Sequence, residues 1–527
     1  MRMLKWGAAA IAIVAALATA PVDAKTFRWA AGNDPGALDP YSRNVTTTIM
    51  FLANMYEQLV RHDRELNLQP ALATKWEQPA PDVWRFTLRQ GVKFHEGEPF
   101  TADDVVFSYE RARGPGSLLA NNFASVKELR KIDAFTVEFV TNGPDATFPA
   151  LMTNIMIMSK AWAEKHNITR TTDISKQEES YASSNVNGTG PFTLRARSSD
   201  GRVEMVANPD WWDKPEHNLT EVLFTPLANP STRTAALIAG DVDMVYGLPI
   251  NSVERVQQTP GLRVHQKADL RTMFFGMDVI SNELRDSDVK GRNPFKDKRV
   301  RQAVQMAINT DAIHRNVMRG ASVPNYLMVG PGVNGFDPSL NVPYKFDADG
   351  AKRLLAEAGY PNGFEMSMDC SNDRYVNDEQ VCTAVASMLA RAGIRARLRL
   401  MPFQQFVRFV NPPYDTNFFF VGWLPPTYDA HNSLLSLTAT RQPGGISGNV
   451  NVGGFSNARN DELIRMMGTE TDVAKRNAMI KESLTIVRDE MAYIPIHQQV
   501  LLYGAKQNVS LVQLPSDWFM LRYVRVD

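Results

Sequence analysis

The sequence predicts an α/β fold with a mixed sheet, divided over two or three domains, and three observations carry that reading. First, helical and strand patterns alternate. Residues 379–392 place Val381, Val385, Met388 and Leu389 at helical spacing, Gly393 stops the helix, and Ile394, Ala396, Leu398 and Leu400 then alternate with Arg395, Arg397 and Arg399. Second, the same logic recurs upstream. Val300, Val304, Ala307 and Ile308 fall on one helical face, and residues 309–311 offer a cap for a following helix. Third, 527 residues, 44% apolar and 22% charged, exceed what one ordinary core organises.

Taken in order, the chain opens with Arg2 and Lys5 ahead of a small and apolar run at 7–18, followed by Pro21-Val22-Asp23-Ala24. That run is too short to span a bilayer and has the form of a cleaved secretory leader, with the mature chain expected from Lys25. No cysteine lies near the cut, so no lipid is expected on the mature N-terminus. Residues 26–30 are expected to form a strand and 34–40 a loop rich in Gly, Pro and Asp. A helix is expected over 44–59, with Ile49, Leu52, Ala53 and Tyr56 on one face.

Trp84, Phe86 and Leu88 alternate with Arg85, Thr87 and Arg89, a half-buried strand pattern. Gly91 turns the chain, and Val92 and Phe94 are read as a second short strand. Thr101 and Asp104 have the spacing of a capping box and open a helix carrying Val105, Val106 and Tyr109. Residues 347–358 form another helix with Leu354 and Leu355 inward, and Gly359 stops it ahead of Pro361.

The charge count excludes one class of partner. Lys plus Arg and Asp plus Glu number 57 each, so no net field draws the chain to nucleic acid or an acidic membrane. The only cysteines, Cys370 and Cys382, are twelve positions apart. In an oxidising compartment they are expected to pair, a local link contributing about 3 kcal/mol. With no histidine nearby they do not make a zinc site.

One stretch combines strand chemistry with ligand chemistry. NFFFVGWLPPTYDAHN, residues 417–432, begins as an aromatic strand, breaks at Gly422, and then crowds Trp423, Tyr428, Asp429 and His431 around Pro425-Pro426. A strand end that delivers such groups onto a rigid loop lines many ligand sites. A turn whose Trp plugs the core has the same composition, and these residues alone leave both readings open.

The segment WRFTLRQGVKFHEGEPFTADDVVFSYERA at 84–112 resembles the signature of the family 5 extracellular solute-binding proteins, the peptide-binding components of ABC importers. ALATKW at 71–76, NGTGPF at 187–192, NPDWWDKP at 208–215, RTAALIAGDVDMV at 233–245 and FKDKRVRQAVQMAINTDAI at 295–313 resemble its other landmarks, in order. The resemblance implies a fold like the type II periplasmic-binding proteins, with two lobes joined by hinge strands and an inserted α/β domain in the first lobe. Lobe 1 would comprise residues 25–60, 186–271 and 500–527, the insert 61–185, and lobe 2 residues 272–499. TMFFGMD at 272–278 and YIPIHQQVLLY at 493–503 would be the crossing strands.

The implied function is capture of a peptide or peptide-like solute in the periplasm and its delivery to an inner-membrane ABC permease. A monomer without cofactor is expected. In peptide-binding relatives an Asp shortly after the Gly-Trp strand end pairs with the peptide amino group, and here Pro426 stands at that position. Asp429 either takes over the ammonium or caps the following helix. Arg374, in CSNDRY, resembles a residue of a cleft-facing loop and suits a ligand carboxylate or phosphate. With Trp423, Tyr428 and His431, and with Asn44, Thr46 and Phe123 from stretches where relatives contact ligand, these are the candidate ligand-binding residues.

Two rival function classes draw on other residues of the chain. A non-peptide ligand (an opine, oligosaccharide, haem or metal chelate) would use the same cleft. Eight scattered histidines form no local metal motif, and His95 in the signature reads as structural. A secreted hydrolase is the rival class, but GISGN at 445–449 lacks the second glycine of a nucleophile elbow. Asp241 and Asp243 read as two residues on one solvent-facing side of a strand or turn rather than as a catalytic pair.

Overall fold

The computed structural model describes residues 25–442 and 446–527; the expected leader lies outside the described residues. Two long antiparallel strands, Leu262–Met277 and Tyr493–Lys506, form the centre of an eleven-stranded mixed sheet. On one side follow Phe418–Trp423, Phe364–Ser371 and Ile394–Met401. On the other follow Met244–Tyr246, Thr26–Ala31, Glu221–Pro226, Val203–Ala207 and Phe192–Arg197, and the eleventh strand, Ser322–Pro324, pairs with Tyr493–Lys506 off this path. The two flanks are the sheets of lobe 2 and lobe 1, and the long strands run through both. Met273 to Met277 are all buried, because a strand covered on both faces shows no alternation.

Lobe 2 packs helices Lys298–Ala307, Ala348–Glu357 and Asp378–Ala392 over its strands, burying Val300, Val304, Leu355, Val381, Val385 and Leu389 against Phe364, Met366 and Met368. Gly393 ends the third helix at φ 99°, a conformation glycine adopts without a Cβ penalty. Cys370 and Cys382 are bonded, tying the end of a strand to this helix across the segment that carries Arg374.

The inserted domain is a four-stranded antiparallel sheet in the order Ala73–Ala80, Val83–Leu88, Thr136–Thr141, Val126–Asp133, with helix Ala102–Arg113 against it. The expected capping box is present: the Thr101 side chain accepts from the Asp103 N–H and Asp104 accepts from the Thr101 N–H. Phe86, Phe139, Tyr109 and Phe148 fill its separate core.

Two expected elements differ. Val92 and Phe94 form no strand beyond a single bridge, Lys93 to Pro99, because the Phe94 N–H donates to Glu98 O and the chain turns back. The helix expected over 44–59 is only Thr46–Leu52. Asn54 ends it by donating its side-chain amide to Met50 O and Phe51 O while accepting from the Leu521 N–H of the C-terminal segment.

Candidate functional site

The two long strands pair in register up to Ala268 opposite Val500 and resume at Thr272 opposite Gln498. Between these points residues 269–271 face Gln499 alone, a bulge at the crossing from one lobe to the other. The bulge turns charge into the protein. Asp269 accepts from the Arg271 N–H at 2.8 Å and from Gln499 Nε2 at 3.0 Å. The Arg271 guanidinium lies 3.7 Å from Asp269 and 3.5 Å from Asp517 of the C-terminal segment. Tyr246 donates its hydroxyl to the Asp517 carboxylate, and all three charged side chains are buried.

Gly422 has a steric reason to be at the neighbouring strand end. A Cβ there would stand 2.5 Å from Met273 Sδ and 2.8 Å from Arg271 Cδ, so the missing side chain is the passage through which Arg271 reaches the crossing. Trp423 pairs opposite Thr272 and donates Nε1 to Asn432 at 3.2 Å, leaving the ring half-buried at the lobe 2 edge. The Pro425-Pro426 turn closes with the Tyr428 N–H on Pro425 O, and Tyr428 takes φ 53°. Tyr428 is thereby aimed out of lobe 2 and its ring packs on His62, with centroids 4.5 Å apart.

Arg374 and Tyr375 form the lobe 2 rim. The Tyr375 hydroxyl reaches Gly422 O at 3.5 Å, and the Val376 N–H donates to Gln499 Oε1 at 3.2 Å. The Arg374 guanidinium sits 5.3 Å from the Tyr375 ring and 5.6 Å from the Phe403 ring. Aromatic faces hold it in place while leaving its hydrogen-bonding edge for an acceptor. Tyr246 stands on the lobe 1 side, its hydroxyl pushed up by burial and by the Asp517 carboxylate. There a cavity of about 50 Å³ is lined by Trp29, Asn33, Thr47 and Tyr246, and the buried Trp29 indole N–H has no partner.

The sequence candidates are therefore split. Arg374, Trp423 and Tyr428 lie at the lobe 2 face near the crossing. Asp429 does not reach it: the carboxylate caps helix Ala430–Leu437 through the His431 N–H and forms a two-pronged pair with Arg476, both contacts 2.7 Å. Of the two roles the sequence leaves open for Asp429, ammonium partner or helix cap, this geometry is that of the cap, with both oxygens occupied. His431 is also withdrawn from the cleft, with Nε2 on Ile464 O at 3.1 Å and its ring under Gly468.

Phe123 also lies away from the crossing. At 2% exposed it packs edge-on against Tyr109 inside the inserted core, 5.8 Å between centroids, because its neighbours there are more apolar than any solvated cleft. Asn44 is exposed ahead of helix Thr46–Leu52 and Thr46 begins that helix half-buried, whereas Thr47 lines the lobe 1 cavity. Asp243 is not solvent-facing. It is buried between Arg28 Nη2 and Lys506 Nζ, each at 2.8 Å. His95 is held by Gly190 O and the Gly188 N–H, a structural role.

Sequence reasoning missed Asp269, Arg271, Gln499 and Asp517. One signal was available: ADLRTMFFG at 268–276 places two charges inside a run that is otherwise strand-like and apolar. Among the described residues no group of three or more His, Cys, Asp or Glu is placed to hold a metal.

Burial pushes the Asp269 carboxyl up to about 7, opposed by Arg271 and reinforced by Asp517. The folded protein then keeps a proton that the unfolded chain releases near 3.9, so this group's contribution to stability falls as pH rises from about 4 to about 7. The stability difference between wild type and Asp269→Asn is expected to shift against wild type across that window, read by urea unfolding at pH 4.5 and 7.5. A difference that is flat or moves the other way would remove the assignment.

Three comparisons bear on the fold and family. A model described as bacterial extracellular solute-binding proteins, family 5 middle, matches residues 67–445. The glutathione-binding protein GsiB of Escherichia coli (strain K12) is 24% identical over 515 residues, covering 96% of this chain and 95% of that protein. The periplasmic binding protein DppA from Helicobacter pylori, solved with the peptide STSA, superposes with a TM-score of 0.80 at 24% identity, over 95% of this chain and 98% of that one. A dipeptide-binding protein from Pseudoalteromonas sp. SM9913, solved with Met-Leu, gives 0.81 at 22% identity, over 95% and 100%.

Proposed function

We propose, from the premise that this chain belongs to the bacterial extracellular solute-binding proteins of family 5, that it captures a peptide or peptide-like solute between its lobes and hands it to the membrane permease of an ABC importer. The observation that carries the site is the bulged crossing of the two long strands, with Arg271 and Asp269 inside it and Arg374 on the rim. Solute touching both rims stabilises the closed arrangement by its differential affinity for it. The peptide-like class draws on the relatives, one named for glutathione and two solved with peptides. With Pro426 at the strand end and Asp429 bound to Arg476, the solute is held by its acidic and amide groups rather than by an ammonium at that position.

The lobe boundaries given above, a periplasmic location and a monomeric state belong to the same proposal. We assign it no bond-breaking step. Native mass spectrometry of protein purified from its own host identifies what co-purifies, and thermal shift against peptide and opine libraries then ranks candidates. A solute at a hundred times its dissociation constant adds about 2.7 kcal/mol. Arg374→Ala is expected to weaken that solute by about 10- to 100-fold, the loss of one charge-assisted hydrogen bond. Unchanged affinity would remove Arg374 from the site, and turnover of a chromogenic ester, peptide or glycoside would replace the receptor reading with the hydrolase one.

A further inference from the structure

Gln499 stands in the gap of the bulge, facing residues 269–271 across the two long strands, and it is 5% exposed. Its carboxamide is used at both ends. Nε2 donates to the Asp269 carboxylate at 3.0 Å, and Oε1 accepts from the Val376 N–H at 3.2 Å. Those partners fix its orientation, because a reversed amide would set N–H against N–H and oxygen against carboxylate and lose both bonds. Few side chains could stand in for it. A carboxylate lacks the donor, an ammonium lacks the acceptor, and a group this buried cannot recover either bond from water.

The two bonds lead to different parts of the protein. Asp269 lies 3.7 Å from the Arg271 guanidinium, which lies 3.5 Å from Asp517, the carboxylate that Tyr246 also holds. That end is the crossing and its lobe 1 side. Val376, at the other end, belongs to the segment that carries Arg374 and Tyr375, and this segment is tied to itself. The Asp378 carboxylate accepts from the Arg374 and Tyr375 N–H groups, both at 3.1 Å, and from the Ser371 hydroxyl at 2.8 Å. The Cys370–Cys382 bond closes the segment, and Asn377, at φ 54°, donates Nδ2 to Val317 O at 3.0 Å. A segment held within itself in this way passes a shift at Val376 on to Arg374 instead of absorbing it in its own backbone.

We propose that Gln499 is a positioning residue that couples the bulged crossing to the rim, setting where Arg374 and Tyr375 stand according to the arrangement of Asp269, Arg271 and Asp517. The inference rests on the crossing being the hinge of a solute receptor and adds a consequence to that reading: closure about the crossing and grip at the rim are one event. The competing account is that Gln499 satisfies two buried groups and does nothing more. A change at Asp269 would then stop at Gln499.

Hydrogen exchange on the full mature chain without solute separates the two accounts. Asp269→Asn, which keeps the shape and removes the charge, is expected to speed exchange in residues 374–376 by about threefold or more while leaving helix Lys298–Ala307 unchanged. In a Gln499→Leu background, where those amides already exchange faster, Asp269→Asn should add nothing. Gln499→Met, closer in shape, takes the place of Gln499→Leu should that variant fail to fold. A rim segment that ignores Asp269→Asn, or that responds equally with and without Gln499, would overturn the proposal. Binding is read with glutathione and with the dipeptide Met-Leu as probes. Gln499→Leu should weaken whichever binds by about tenfold in the wild-type background and by less than about twofold in Arg374→Ala, because it acts through Arg374. Equal losses in both backgrounds would also overturn it. If neither probe binds wild type, the peptide-like reading falls, and the exchange measurement, which uses no solute, still decides the coupling.

Discussion

Alanine at Asp429 is expected to lower the free energy of unfolding by about 3–5 kcal/mol, the cost of removing one partner from a buried ion pair. Asp429 is 8% exposed and its carboxylate serves four donors: both Nη atoms of Arg476, the Asn334 side-chain amide and the His431 N–H. Burial alone would push this carboxyl up, yet the pair with Arg476 and the amide bonds hold it below the usual range. Its contribution is therefore complete at neutral pH and is lost as pH falls below about 4. The Asp429→Ala, Arg476→Met double variant should recover part of the loss, since no charge is then stranded. Urea unfolding measures each. A variant of unchanged stability that no longer binds solute would favour the ammonium-anchor alternative instead.

Arg111→Met is expected to cost a similar 3–5 kcal/mol at a different seam. Arg111 sits on the inserted helix and Asp39 in the loop after the first strand of lobe 1, and both side chains are 0% exposed. Two bonds of 2.6 Å join them, Arg111 Nε donates to Ile168 O at 3.0 Å, and Asp39 also accepts from Thr172. Without the guanidinium, Asp39 stays buried with too few donors. Hydrogen exchange should therefore show the inserted domain loosening before the rest, with protection lost first in Ala102–Arg113. Arg111→Lys should not rescue, because an ammonium cannot reproduce the planar fork. Full stability in either variant would mean the insert is held by its apolar seam alone.

Local patterns were legible where neighbours in sequence are neighbours in space. The Thr101 capping box, the Gly393 stop and the helix-to-strand passage at Ile394 depend on contacts a few residues apart, and each is present. Helix Thr46–Leu52 ended early for a reason that lies 467 positions away, at Leu521. Phe123 is covered inside the inserted core while Thr47 lines the lobe 1 cavity, because exposure, unlike periodicity, is decided by what another segment covers.

Gly422, Trp423 and the Pro425-Pro426 turn show both limits together. By itself the sequence determined the α/β class, the strand that ends at Trp423, the rigid turn after it and the local disulfide between Cys370 and Cys382, all short-range chemistry. Only the tertiary structure decided that Gly422 makes room for Arg271, that Arg271 faces Asp517 from 246 positions away, and that Asp429 belongs to Arg476, 47 positions on. A charge taken out of water must find its partner wherever the fold brings one. Nothing in the spacing of residues along the chain records which partner that is.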